Sequence, residues 1–131
     1  MSARIKVITL IYILILAGII FLADQRGTRY LLNFVGNIPY GDKIGHFFLM
    51  GMLSFLINLT LQCRSVGFGK LRYLLGSIIV FVLVVIEEFS QLFVSGRTFD
   101  LTDLIADSLG IIIFGELARL TWLKFFADKK A

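Results

Sequence analysis

Four long apolar stretches, joined by short polar connections, constrain the fold of this chain more than any other feature. They cover residues 7–23, 44–61, 71–94 and 101–126. At about 1.5 Å of rise per helical residue, each can cross a hydrocarbon core of roughly 30 Å, the first only just. Only 17% of the residues are charged, against roughly one quarter in soluble domains. The sequence therefore predicts an all-α fold, a four-transmembrane-helix bundle, as a single domain over residues 1–131.

The distribution of Lys and Arg predicts the orientation of this bundle. Nine of the 13 cations lie on the side that holds both termini, whereas the other side carries Arg26, Arg29, Lys43 and Arg97. Because cytoplasmic loops hold the excess of Lys and Arg, both termini are expected to be cytoplasmic. The net charge of +4 does not indicate a nucleic-acid partner, because the cations lie at the ends of apolar runs, where this topology requires them. We expect a multi-pass membrane protein, with membrane lipids around it.

The first outer connection has its own apolar pattern. Its apolar residues recur at helical spacing and stop before Pro39, the only proline of the chain. This spacing predicts a short interfacial helix that lies on the bilayer surface. The residues concerned are Tyr30, Leu31, Phe34, Val35 and Ile38.

Acidic residues cluster at one level of the predicted bundle. Six of the nine Asp and Glu residues lie at the outer ends of the second, third and fourth spans, together with His46, the only histidine. A charged group at membrane depth costs on the order of 2.5–3.5 kcal/mol, so such a cluster is a candidate functional site. The six acids are Asp42, Glu87, Glu88, Asp100, Asp103 and Asp107.

Helical spacing predicts that three spans contribute to one polar layer. Asp42 and His46 are four residues apart, as are Asp103 and Asp107, and Gln91 follows Glu88 by three. The second and fourth spans begin at the outer side and the third ends there, so the polar faces of the three spans meet at one depth.

The charge of this layer must be offset. Six acids face only Lys43 and Arg97, which leaves a formal charge of −4 with His46 neutral. Protons on some carboxyls or a bound cation must reduce it. A bound divalent metal could offset the charge, but we favour protonated carboxyls, because the spacing of these residues matches no strong metal-binding motif. The sequence does not identify a cofactor.

Several of these residues have a purely structural alternative. Asp42 and Asp100 could cap helix N-termini, where a negative charge is favourable. Glu88 lies near a helix C-terminus, the unfavourable end for a carboxylate, so capping does not explain it. Glu87 is expected to face away from the layer, about 100° around the helix.

Three ordered motifs resemble the VanZ-like family of small bacterial membrane proteins. They are DKIGH at 42–46, EFSQ at 88–91 and GRTFDLTDLIAD at 96–107, followed by Gly110, and the resemblance covers about residues 41–115. The family usually has Asn where this chain has Asp107. The resemblance implies a membrane location, and the founding member is associated with resistance to the glycopeptide teicoplanin. It implies no settled biochemical activity, so the chemistry rests on the residues themselves.

Two functions are compatible with the polar layer. As a binding or accessory protein, the chain would hold an envelope lipid headgroup or a glycopeptide-related ligand in this layer. As an enzyme acting on a phosphorylated or acylated envelope lipid, it would use catalytic residues there. The candidate ligand-binding residues are Asp42, Lys43, Gln91, Arg97, Asp100 and Asp107, and the candidate catalytic residues are His46, Glu88 and Asp103. An ion-coupled carrier is less favoured, because four spans are few and the inner half shows no polar path. The sequence does not determine the oligomeric state, and a homo-oligomer is compatible with it.

The predicted topology can be tested by cysteine labelling. In a chain lacking Cys63, an impermeant thiol reagent should label Thr28→Cys or Ser95→Cys in intact cells, because both positions are predicted to be outside. Ser65→Cys and Lys129→Cys should react only after the cells are opened. The reverse pattern would contradict the predicted orientation.

Overall fold

Four long helices and one short hairpin make up the part of the chain that the computed structural model describes, residues 3–24, 41–93 and 101–126. Side chains are described for residues 3–21, 43–93 and 101–126. The helices follow the four apolar stretches of the sequence, with ends that differ by a few residues from the predicted ones. The elements are α1 (Ala3–Asp24), α2 (Gly41–Thr60), β1 (Ser65–Phe68), β2 (Leu71–Leu74), α3 (Leu75–Ser90), a 3-10 turn (Gln91–Phe93) and α4 (Leu101–Phe125).

The hairpin between α2 and α3 differs from the all-helical prediction. Ser65 pairs with Leu74 and Phe68 with Leu71 in an antiparallel register. Gly69 begins the tight turn with a φ of 64°, a conformation that glycine adopts easily because it has no Cβ. Helix α3 consequently starts at Leu75, and the predicted start of the third helical stretch at residue 71 is wrong.

Three of the helices are long and apolar enough to cross a membrane, judged by length and composition. The qualifying segments are Ala3–Phe21, Lys43–Thr60 and Leu75–Phe93. Helix α4 has 25 residues, which corresponds to about 37 Å, but it carries more charge than these three. The predicted interfacial helix falls in residues 25–40, outside the described residues.

The closest helix packing in the described bundle joins α2 to α4. A Cβ on Gly110 would overlap the backbone carbonyl of Phe47, and a Cβ on Gly51 would overlap the ring of Phe114. The two glycines therefore let the helices approach more closely than larger residues would allow. The apolar core beside this contact is formed by Leu16, Met50, Leu53, Val80, Val84 and Ile111.

Buried hydroxyl and amide groups form a second, deeper polar cluster. Asn58 Nδ2 donates to Ser77 Oγ at 2.9 Å, and Ser54 Oγ donates to the carbonyl of Ile111 at 3.0 Å. These bonds link α2 to α3 and α4. Ser54 follows His46 by eight residues, so the cluster lies about 12 Å nearer the hairpin along α2.

Helix α1 is tied to α2 by side-chain hydroxyls. Tyr12 Oη donates to the carbonyl of Leu49 at 2.6 Å, and the hydroxyls of Thr9 and Thr60 lie 2.9 Å apart. Most other side chains of α1 are exposed and apolar, as expected for a helix that faces lipid.

The contact at Gly110 predicts a stability difference between two glycine variants. Gly110→Ala should cost about 1–3 kcal/mol, because the backbone of Phe47 cannot turn aside as a side chain could. Gly18→Ala is the matched control, since no atom lies within 4 Å of its Cβ position. Unfolding of the purified variants in detergent measures both, and equal stability would contradict the close packing of α2 on α4.

Candidate functional site

The centre of the site is a bond between the only histidine and a buried carboxylate. His46 Nδ1 on α2 lies 2.9 Å from Asp107 Oδ1 on α4. The Asp107 side chain is 1% exposed, whereas that of His46 is 23% exposed. When Asp107 is ionised its carboxylate only accepts hydrogen bonds, and Nδ1 is then the donor in this pair. The bond fixes the orientation of an imidazole that remains partly accessible.

Asp103 connects the other edge of the imidazole to a lysine. Its Oδ1 lies 3.4 Å from Lys43 Nζ, and its Oδ2 lies 3.8 Å from His46 Nε2. The Asp103 side chain is 13% exposed, so its charge is largely removed from solvent. Basic and acidic side chains therefore alternate from Lys43 through Asp103 and His46 to Asp107.

The spacing of residues on the two helices explains this arrangement. Lys43 and His46 are three residues apart on α2, and Asp103 and Asp107 are four apart on α4, so each pair lies on one helix face. Gly110, one turn beyond Asp107, contacts the residue that follows His46. The close approach of the helices at this glycine brings the imidazole within bonding distance of the carboxylate.

Helix α3 adds a third set of polar groups. Glu88 is fully buried, and an ionised carboxylate there would act electrostatically on His46, as those of Asp103 and Asp107 would. Gln91 is also buried and donates from Nε2 to Glu87 Oε1 at 2.8 Å. The polar layer is thus built from three helices.

The structure places some of the predicted site residues together and leaves others outside its described part. The residues in contact are Lys43, His46, Asp103 and Asp107. Arg97, Asp100 and the side chain of Asp42 lie outside the described residues. Of the two acids of α4, only Asp103 is among the candidate catalytic residues predicted from the sequence, whereas the shorter contact of the ring is with Asp107.

Two groups of polar residues were missed or misjudged from the sequence. Glu87 was expected to face away, but it is half-buried and binds Gln91, a contact that their four-residue spacing already allowed. The deeper cluster around Asn58 was overlooked because single Ser and Asn residues give little signal within an apolar run. It adds buried neutral polar groups to the inner half of the bundle, about 12 Å along α2 from His46.

The described residues contain no group of three or more His, Cys, Asp and Glu with the geometry to hold a metal ion. Buried acceptor capacity does remain at the site. Asp107 Oδ2 is buried and has no hydrogen-bond partner among the described residues. A ligand that carries N–H or O–H groups would satisfy such an oxygen.

A double-mutant cycle tests the bond at the centre of the site. His46→Ala and Asp107→Ala should be non-additive by about 1–2 kcal/mol in unfolding free energy, because each change removes the same buried bond. Lys124→Ala, at the far end of α4, should add to His46→Ala within about 0.5 kcal/mol. If the first pair were as additive as this control, the two side chains would not be bonded.

The comparison with known families supports the same assignment. The sequence model of the VanZ/LLP1 family matches residues 9–122, which is most of the chain and includes all the site residues described above. Searches of curated proteins and of solved structures returned no significant match. The resemblance of the three sequence motifs is thereby confirmed, and the chain belongs to the VanZ/LLP1 family.

Proposed function

We propose that this protein binds the polar headgroup of an envelope lipid, or of a glycopeptide-type amphiphile, at the His46 site. The observation that carries the proposal is the oriented, partly exposed imidazole held against buried Asp107. Beside it, Lys43 is 30% exposed and Asp103 13% exposed. A ligand can therefore reach one cation, one imidazole and one carboxylate on a preformed surface.

The mixed charge of this surface favours a headgroup with two kinds of polar group. Lys43 suits a phosphate or carboxylate, and Asp103 suits an ammonium or hydroxyl donor. Phosphatidylethanolamine carries both, and so does a glycopeptide such as teicoplanin. Capture of a glycopeptide at this site would reduce the access of that glycopeptide to the envelope. This is the physiological role we propose.

The proposal includes a four-span topology for the bundle. Helix α4 is long enough to be the fourth span, and its outer acids are covered by α2. Near its other end, Glu116 pairs with Arg119 at 2.5 Å, which reduces the cost of placing both near lipid. With both termini in the cytoplasm, the His46 site opens at the outer face of the bacterial cytoplasmic membrane.

A second candidate function is acid–base catalysis on a phosphorylated or acylated envelope lipid. The observation that favours it is the contact between Asp107 and Nδ1 of the ring, because a carboxylate in that position orients a histidine for proton transfer at Nε2. Glu88, which is fully buried on α3, would be the second proton-exchanging group. Turnover of the bound lipid separates this function from binding alone.

Native mass spectrometry of the purified protein tests the binding function. With phosphatidylethanolamine or teicoplanin as probe, the wild type should retain one molecule, and His46→Ala should bind about tenfold more weakly because a charged hydrogen bond is lost. Lys124→Ala is the control and should bind as the wild type does. Equal retention by His46→Ala and the wild type would contradict the proposal, and chemical change of the lipid would favour the enzyme.

A further inference from the structure

A groove of about 430 Å³ runs between α3 and α4 from Ser108, the residue after Asp107, to the hairpin end of the bundle. It is bounded by the hairpin and by the facing sides of α3 and α4, and none of the residues of the candidate site lines it. On α4 it extends from Ser108 to Arg119, a length of about 16 Å. This is long enough to hold a large part of an acyl chain.

The walls of the groove change from apolar to basic along its length. Its middle is lined by Phe81 of α3 and Ile112 of α4, which are 42% and 62% exposed. Its hairpin end is lined by Arg72 and Arg119, the latter with a side chain that is 54% exposed. The groove therefore offers an open apolar surface that leads to two guanidinium groups, which matches the layout of a single lipid molecule.

The charges at the basic end favour an anionic headgroup. Glu116 also lines this end and contacts Arg119 Nη2 at 2.5 Å. A guanidinium has five N–H donors, so this contact does not exhaust Arg119, and Arg72 adds a second set. Arg binds phosphate through paired N–H groups, and basic pockets between membrane helices suit anionic lipids.

We propose that this groove binds one anionic phospholipid, with its phosphate between Arg72 and Arg119 and an acyl chain against Phe81 and Ile112. The site is independent of the His46 layer. It uses the hairpin as one wall, which gives that element a role in lipid binding. The lipid would link the hairpin to α4, two elements that meet across this groove.

Native mass spectrometry with phosphatidylglycerol and phosphatidylcholine as probes tests this site. The wild type should retain phosphatidylglycerol in preference to phosphatidylcholine. In the double variant Arg72→Gln with Arg119→Gln, the ratio of bound phosphatidylglycerol to bound phosphatidylcholine should be about tenfold lower. Lys124→Gln removes a charge from the same end of α4 outside the groove and should keep the preference. Equal retention of both lipids by the wild type, or an unchanged preference in the double variant, would overturn the proposal.

A gain in binding provides a test that misfolding cannot imitate. Glu116→Gln removes the acid that competes with the lipid phosphate for Arg119, so it should strengthen retention of phosphatidylglycerol. His46→Ala should not affect this lipid, which separates the groove from the proposed headgroup site. Weaker binding in Glu116→Gln, or a loss of phosphatidylglycerol in His46→Ala, would contradict the assignment.

Discussion

The close approach of α2 and α4 is the constraint on which the rest of this structure depends. Gly110 lets the backbone of α4 lie against the carbonyl of Phe47, and the next residue back on α2 is His46. At this separation the imidazole reaches Asp107 at 2.9 Å without a gap for water between them. A wider spacing would leave a buried carboxylate without its partner, which is costly in a low-dielectric interior.

The same contact shows how a membrane bundle can contain so many ionisable groups. Along the described part of the α2–α4 seam, Asp103 lies beside Lys43 and Asp107 beside His46, so neither carboxyl is buried without a basic neighbour. Deeper in the bundle, the bonds of Ser54 and Asn58 join the helices without any formal charge. Along α2, the ionic bonds of Lys43 and His46 are thus followed by neutral polar bonds, and the Glu116–Arg119 pair adds a further ionic bond at the hairpin end of α4.

Much of this architecture could be predicted from the sequence, because its main signals are strong and local. Long apolar runs indicate the helices, and residues at three- and four-residue spacing, such as Asp103 and Asp107, share a helix face. What could not be predicted depends on how the helices pack. The choice of Asp107 over Asp103 as the ring's bonded partner follows from the crossing point at Gly110, and the hairpin follows from a turn at Gly69, just before the apolar stretch that begins at residue 71.

The central claim is that Asp107 holds the imidazole of His46 across two helices. Since His46 is the only histidine, selective ¹⁵N labelling of histidine reports on this one ring in the complete protein. Two-bond ¹H–¹⁵N correlation spectra of the protein in detergent report the Nδ1 resonance of His46. Relative to the wild type, this resonance should shift strongly in the Asp107→Ala variant and little in the Glu116→Gln variant. Ring resonances that are unaffected by Asp107→Ala, or that match those of the unfolded chain, would contradict the account.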